Sequence, residues 1–228
     1  MVSLKSTASI NDYQIFIREV YGKPNDLHFD SSDMIANIQR FAMRALKGIR
    51  KGDKKKTRLN ILISLSWFIS LLNRLHINLE DAVWERFPFK CSYCGSCPCS
   101  CKSEKITKRR EIKADNSKKP HTLERFQEMF KSIYPPKSRT LEHAGIHLAE
   151  EIGEFAEAFV SYKGAHQDKY LKHISKEAAD VFSCFVGVCN SYGINIAKEL
   201  SKMFRRNCHE CHKAPCKCSF QRVINYQS

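Results

Sequence analysis

The pattern Cys-x2-Cys-x4-Cys-x-Cys occurs twice in this chain, as "CSYCGSCPCSC" at 91–101 and as "CHECHKAPCKC" at 208–218, 117 positions apart. A motif recurring with unchanged spacing marks an internal duplication, so the fold must be one that a single structural unit can build twice. The register runs on around the motif. Pro98 falls on Pro215, "HINLEDAVWERF" lies over "GINIAKELSKMF", and Phe68 lies over Phe185. Upstream, "YQIFIREVYGKP" resembles "RFQEMFKSIYPP" after a shift of four, and Lys51-Gly52 answers Lys163-Gly164. The repeats cover roughly 10–101 and 122–218. The expected organisation is a first unit over 1–101, a linker over 102–121 and a second unit over 122–228.

Both copies read as helical. Apolar residues recur every three or four positions, predicting helices over about 9–20, 32–51, 57–75 and 79–87 in the first copy. The same signal marks about 122–132, 139–162, 169–191 and 195–206 in the second. Residues 178–189, "AADVFSCFVGVC", are apolar almost all round, as expected of a helix at the centre of a bundle. No strand pattern competes, and the expected class is all-α: two tandem helical units, each ending in a small four-cysteine knuckle. The linker "KSEKITKRREIKADNSKKPH" is basic and poor in apolar residues. It reads as a flexible, solvated connection, or as a basic run that helps hold a polyanion.

Charge narrows the partners. The formal net charge is +14, and two filled four-thiolate zinc sites would bring it to about +10, which still favours polyanions such as nucleotides or nucleic acid. The start of the chain lacks the layout of a secretory signal, and the apolar run 59–72 is too short and too interrupted to span a bilayer. A cytoplasmic protein with no membrane partner is expected. In that compartment eleven cysteines favour metal ligation over disulfides.

Cys91, Cys94, Cys99 and Cys101, and likewise Cys208, Cys211, Cys216 and Cys218, place four thiols within eleven residues. That set suits tetrahedral, structural Zn2+, two ions per chain; an iron–sulfur cluster or free redox thiols are the other readings. Cys97 offers an alternative ligand in the first set, and His209 and His212 in the second. Cys184 and Cys189 read as core residues.

The other chemistry-bearing feature is acidic. Glu150, Glu151, Glu154 and Glu157 in "LAEEIGEFAEAF" crowd one side of a helix against Leu148, Ile152, Phe155 and Phe159. Like charges at that spacing each cost about 0.2–0.5 kcal/mol, and a hard divalent cation would remove the conflict. Glu177 and Asp180 form a second pair, three positions apart, at the start of the most apolar helix. Packing the two helices against each other would bring the clusters face to face. A solvated acidic face beside an unrelated helix N-terminal pair is the plainer reading.

The combined pattern E-E-x-x-E followed by E-x-x-D, with the continuation "DVFSCFVGVCNSYGINIAKELSKM", resembles the MazG-like nucleotide pyrophosphohydrolases of the all-α NTP pyrophosphatase group. The resemblance covers about 139–206. It implies Mg2+ (or Mn2+) held by Glu151, Glu154, Glu177 and Asp180, with Glu150 a further acidic member that helps to activate water. It also implies that Lys202 faces phosphate or base, and that a nucleoside triphosphate is split to monophosphate and pyrophosphate. Where the family often has Asn four residues after that lysine, this chain has Arg206.

The first copy lacks the acids: Ile38, Gln39, Ala42, Asn60 and Ile63 stand in their aligned positions. It carries instead nine basic residues over 40–58, of which Arg40, Arg44 and Lys47 are candidate phosphate contacts. MazG-like units associate so that neighbours line one another's sites, which implies a monomeric pseudo-dimer or a homodimer. The competing class is a zinc-containing, basic helical protein that binds nucleic acid without catalysis.

Overall fold

The computed structural model describes residues 3–138 and 140–228, and those residues are helical with no strand among them. In chain order the α-helices are α1 (Ile10–Ile17), α2 (Lys23–His28), α3 (Ser31–Arg50), α4 (Lys54–Arg74), α5 (Leu79–Arg86) and α6 (Cys101–Glu104). They continue with α7 (Leu123–Ile133), α8 (Leu141–Ala165), α9 (Asp168–Tyr192), α10 (Ile196–Met203) and α11 (Phe220–Ile224). The all-α class is as expected, and the strongly periodic segments give the long helices. The expected start at residue 139 lies outside the described residues; that helix is described from Leu141. The short helices α2, α6 and α11 and a π-helical turn at Arg18–Gly22 were not foreseen.

Side-chain caps fix the starts. Ser9 with Asp12, and Asp30 with Asp33, form reciprocal capping boxes, while Asp53, Thr122 and Thr140 each accept an N–H of the first turn. Gly193 ends α9 at φ 68°, a left-handed conformation that costs glycine little.

Two compact units divide the chain: Met1–Asn78 with Ile196–Ser228 (unit 1), and Leu79–Asn195 (unit 2). They cut across the sequence repeat. Each is built on one copy's first helices and takes its last helix and cysteine knuckle from the other copy. The crossing points, after Asn78 and after Asn195, are 117 positions apart, the offset of the repeat itself.

In unit 1, α3 packs on α4 around a core that includes Tyr13, Phe16, Phe41, Phe68 and Phe204. The crossing is so close that a Cβ on Gly48 would lie 2.5 Å from the Thr57 hydroxyl. In unit 2, α8 packs on α9, α5 and α7 pack on α9, and Phe87, Phe126, Phe130, Phe155, Phe182 and Phe185 fill the core. Each fully buried phenyl contributes about 1.5–3 kcal/mol.

Corresponding hydrogen bonds recur in the two units. Gln14 Nε2 donates to the Ile77 carbonyl at 3.0 Å in unit 1, and Gln127 Nε2 donates to the Ile194 carbonyl at 2.7 Å in unit 2. The Cys216 N–H donates to the Val20 carbonyl at 2.7 Å in unit 1, and the Cys99 N–H donates to the Ile133 carbonyl at 2.8 Å in unit 2.

Residues 102–121 depart from a free linker. Within unit 2, Lys119 pairs with Asp81 at 2.6 Å and Glu80 at 3.5 Å, Trp84 Nε1 donates to Asn116, and the Arg110 N–H donates to the Tyr93 carbonyl. Among the described residues no single helix is long and apolar enough to cross a membrane. The apolar run of α4 is core.

Candidate functional site

Helices α8 and α9 pack face to face in unit 2 and bring Glu151, Glu177 and Asp180 together, each with a carboxylate oxygen within 4.8 Å of the others. Glu151 Oε2 is buried and has no hydrogen-bond partner. Burial first, then the charges of Asp180, Glu154 and Glu177, push the Glu151 carboxyl up to about 7, with Arg86 acting in the opposite sense. Glu177 is also raised, chiefly by burial and then by Asp180. His173, 3.4 Å away, and Arg86 oppose that rise.

Of the six acids singled out in the sequence, Glu151, Glu177 and Asp180 therefore form one group. Glu154 is exposed, lies outside that group and still acts on it by its charge. Glu150 is exposed and also lies outside it.

The donor set fits a hard cation. Mg2+ binds oxygens at about 2.0–2.1 Å, so two oxygens sharing one ion lie about 2.9–4.2 Å apart. An orphaned, buried carboxylate oxygen beside two further carboxylates is the arrangement such an ion would satisfy.

Sequence reasoning missed the counter-charge. Arg86, at the end of α5, holds Asp180 with Nε 3.1 and 3.2 Å from its two oxygens and with Nη2 on Oδ2. Both side chains are nearly buried, at 14% and 13% exposure. In the 117-residue register Arg86 falls on Met203 and Asp180 on Ile63, so an ion pair in one unit matches an apolar pair in the other. Arg86→Ala strands a buried carboxylate and is expected to destabilise the cation-free protein by about 3 kcal/mol. It also frees Asp180 for a cation, so Mn2+ affinity is expected to rise about tenfold, a gain of about 1.4 kcal/mol. Thermal unfolding with and without Mn2+, and calorimetric titration, check both signs. Unchanged stability with weaker Mn2+ binding would refute this role for Arg86.

The other candidates lie in unit 1. Lys202 is exposed and pairs with Glu199 at 2.9 Å, and Arg206 lies 3.1 Å from His212 Nε2. Arg40 and Arg44 both donate to the Tyr226 carbonyl, at 2.7 and 2.9 Å, and Lys47 is exposed. Asn60, in register with Glu177, is fully buried and accepts from the Ser228 hydroxyl at 2.6 Å. Ile63 and Met203 line an apolar cavity with Phe29, Trp67 and Tyr226. Of the positions in unit 1 that correspond to the acidic group, Ile63 lines the apolar cavity, Asn60 is buried against Ser228 and Gln39 is exposed.

The cysteine sets are assembled as the spacing predicts, and each could hold one zinc ion. Sulfur–sulfur separations are 3.6 Å (Cys91–Cys101) and 3.9 Å (Cys94–Cys99) in the first set. In the second they are 3.9 Å (Cys208–Cys218), 3.7 Å (Cys211–Cys216) and 3.4 Å (Cys208–Cys216). A tetrahedral ion with Zn–S bonds of about 2.3 Å sets them about 3.8 Å apart.

Backbone N–H groups of Tyr93 and Ser100, and of Glu210 and Lys217 at the matching positions, point at sulfurs. Burial raises the Cys94 thiol, but the N–H groups of Ser96 and Ser100 outweigh it and bring it to about 5, suited to a thiolate ligand. Cys97 is exposed, and Cys184 and Cys189 are core residues. His209 Nδ1 lies 3.2 Å from the Tyr21 hydroxyl, and His212 Nδ1 lies 3.2 Å from the Cys208 carbonyl oxygen, so neither histidine belongs to the second four-sulfur set.

No protein-family model, no curated protein and no solved structure matches this chain.

Proposed function

We propose that unit 2 is the catalytic unit of a Mg2+-dependent nucleoside triphosphate pyrophosphohydrolase of the MazG-like kind, converting NTP or dNTP and water to NMP and pyrophosphate. The observation that carries this reading is the buried, unpartnered carboxylate oxygen of Glu151 beside Glu177 and Asp180. Glu151, Glu177 and Asp180 are the residues that would hold Mg2+ or Mn2+. Such an ion supplies charge neutralisation at the phosphates and a lowered pKa for a bound water.

The remaining work falls to the chain's own groups. Arg86 holds the Asp180 carboxylate in place through a bidentate ion pair, and His173 lies 3.4 Å from Glu177. Glu154, exposed on the same helix and acting on Glu151 through its charge, would be the carboxylate that accepts a proton from the attacking water.

The exchange of corresponding segments between copies supports a pseudo-dimer within one chain, with the second copy acidic and the first degenerate. The zinc knuckles are structural in this reading.

A panel of ordinary, deoxy and modified nucleoside triphosphates tests the assignment, with Mg2+ or Mn2+ and with pyrophosphate and orthophosphate release separated. Stoichiometric NMP and pyrophosphate are expected. Absence of turnover on every nucleotide would remove the enzyme reading. It would favour a basic, nucleic-acid-binding protein, for which the net charge of +14 speaks.

A further inference from the structure

The basic segment 102–121 does more than connect the repeats. In unit 2 it forms one wall of a cleft of about 390 Å3 whose other walls are α5 and α9. Arg109 and Arg110 come from the segment, Arg86 from α5, and Lys172 and Lys176 from α9; Glu85 is the single acid among the described residues that line it.

The two arginines of the segment are held in place, whereas Lys172 and Lys176 are exposed on α9. The Arg110 N–H is tied to the Tyr93 carbonyl at 2.9 Å and its guanidinium to Glu104 at 2.9 Å, while the Arg109 guanidinium sits 5.7 Å from the centre of the Tyr93 ring. Lys172 and Lys176 are one turn apart on α9, and the next turn on that face carries Asp180. Arg86 belongs to both features, lining the cleft while holding Asp180. Arg86 and Arg110 have counter-charges in Asp180 and Glu104, so the excess positive charge of the cleft comes from Arg109, Lys172 and Lys176 against Glu85, a balance that favours an anion of high charge density. The volume falls within the range of small-ligand sites, about 300–1,000 Å3.

We propose that this cleft is the polyphosphate subsite: Arg109 and Arg110 of the inter-repeat segment, with Lys172 and Lys176, bind the phosphate chain of a nucleoside triphosphate beside the carboxylate group. The proposal rests on the pyrophosphohydrolase reading for its substrate class. It assigns the segment a binding role that is separate from its connecting one.

Inorganic tripolyphosphate is the probe, titrated calorimetrically into the full-length protein in EDTA, where the carboxylates hold no divalent cation. The variants are Arg109→Ala/Arg110→Ala and Lys172→Ala/Lys176→Ala. Lys55→Ala/Lys56→Ala removes equal charge from an exposed turn of unit 1 and serves as control. Far-UV dichroism and thermal unfolding confirm that each variant folds. Each cleft variant is expected to bind tripolyphosphate at least about tenfold more weakly, a loss of about 1.4 kcal/mol, and the control within about twofold of the parent.

Equal weakening in the control, or undiminished binding in both cleft variants, would overturn the subsite. So would a single-stranded oligonucleotide that binds more tightly than tripolyphosphate and is lost in the same variants, since the cleft would then belong to nucleic acid. Nucleotide turnover measured in parallel separates the two readings. Cleft-dependent tripolyphosphate binding with no turnover keeps the subsite and removes the hydrolase. Turnover with KM unchanged in both cleft variants keeps the hydrolase and removes the subsite.

Discussion

Cys91→Ser and Cys94→Ser are expected to abolish the carboxylate site, whereas Cys208→Ser and Cys211→Ser leave it intact, although the carboxylates and the second cysteine set lie in the same sequence repeat. The reason is the exchange of segments. The knuckle at 91–101 is built into unit 2: Cys91 and Cys94 are buried, and the Tyr134 hydroxyl donates to Cys91 sulfur at 3.3 Å. The Cys99 N–H holds the end of α7, and Phe87, just before the knuckle, packs on Phe130 and Tyr134.

Binding a structural zinc is worth about 10–16 kcal/mol in small knuckles, comparable to or larger than the whole stability of a domain, about 5–15 kcal/mol. If the set at 91–101 holds such an ion, removing one thiolate costs unit 2 most or all of its folded population. Elemental analysis should show one zinc lost per variant. Amide exchange should show protection lost across α8 and α9 for the first pair and across α1 and α4 for the second. Persistent protection of α9 in Cys91→Ser would contradict the assignment of that knuckle to unit 2.

This crossing was not legible in the sequence, and the reason is symmetry. Phe87 and Phe204, or Cys99 and Cys216, make corresponding contacts in their units, so the repeat encodes the contacts without stating which copy supplies them. Other features were legible because they are local. Periodic apolar faces gave α3, α4 and α7 to α10, and fixed spacing gave both cysteine sets.

The inter-repeat segment misled because composition averages over residues. Trp84, Lys119 and the buried Pro120 anchor a stretch that is otherwise polar. Arg86 left one trace, in the double replacement of the Arg86–Asp180 pair by Met203 and Ile63. A charge pair that turns apolar at both register positions together is a contact signal available from a single duplicated chain. That the first copy lacks the acidic group was legible from Asn60 and Ile63. The use of its basic residues was not, because Arg40 and Arg44 meet a carbonyl 182 or more residues away in sequence.

Glu151→Gln is expected to separate function from stability. Glutamine keeps the shape of the side chain but removes the charge a divalent cation requires, and a metal ion contributes several kcal/mol to such a reaction. On the pyrophosphohydrolase reading, turnover should therefore fall about 10^3-fold or more. Stability should move the other way. The Glu151 carboxyl lies at about 7 in the folded protein against 4.5 when unfolded, so the folded state holds the proton more tightly. Relative to glutamine, the parent is not penalised below pH 4.5, where the acid is neutral in both states. It loses stability progressively as pH rises from 4.5 through 7, as the folded state is forced to ionise a carboxylate crowded by Asp180, Glu154 and Glu177. The variant's advantage in thermal midpoint should then be near zero at pH 4.5 and largest above pH 7, and added Mn2+ should narrow it by stabilising the parent alone. Unfolding curves collected in EDTA and in Mn2+ across that range supply the measurement. A variant that is less stable than the parent at about pH 8 in EDTA would mean that Glu151 is held by a partner and is not poised for a cation.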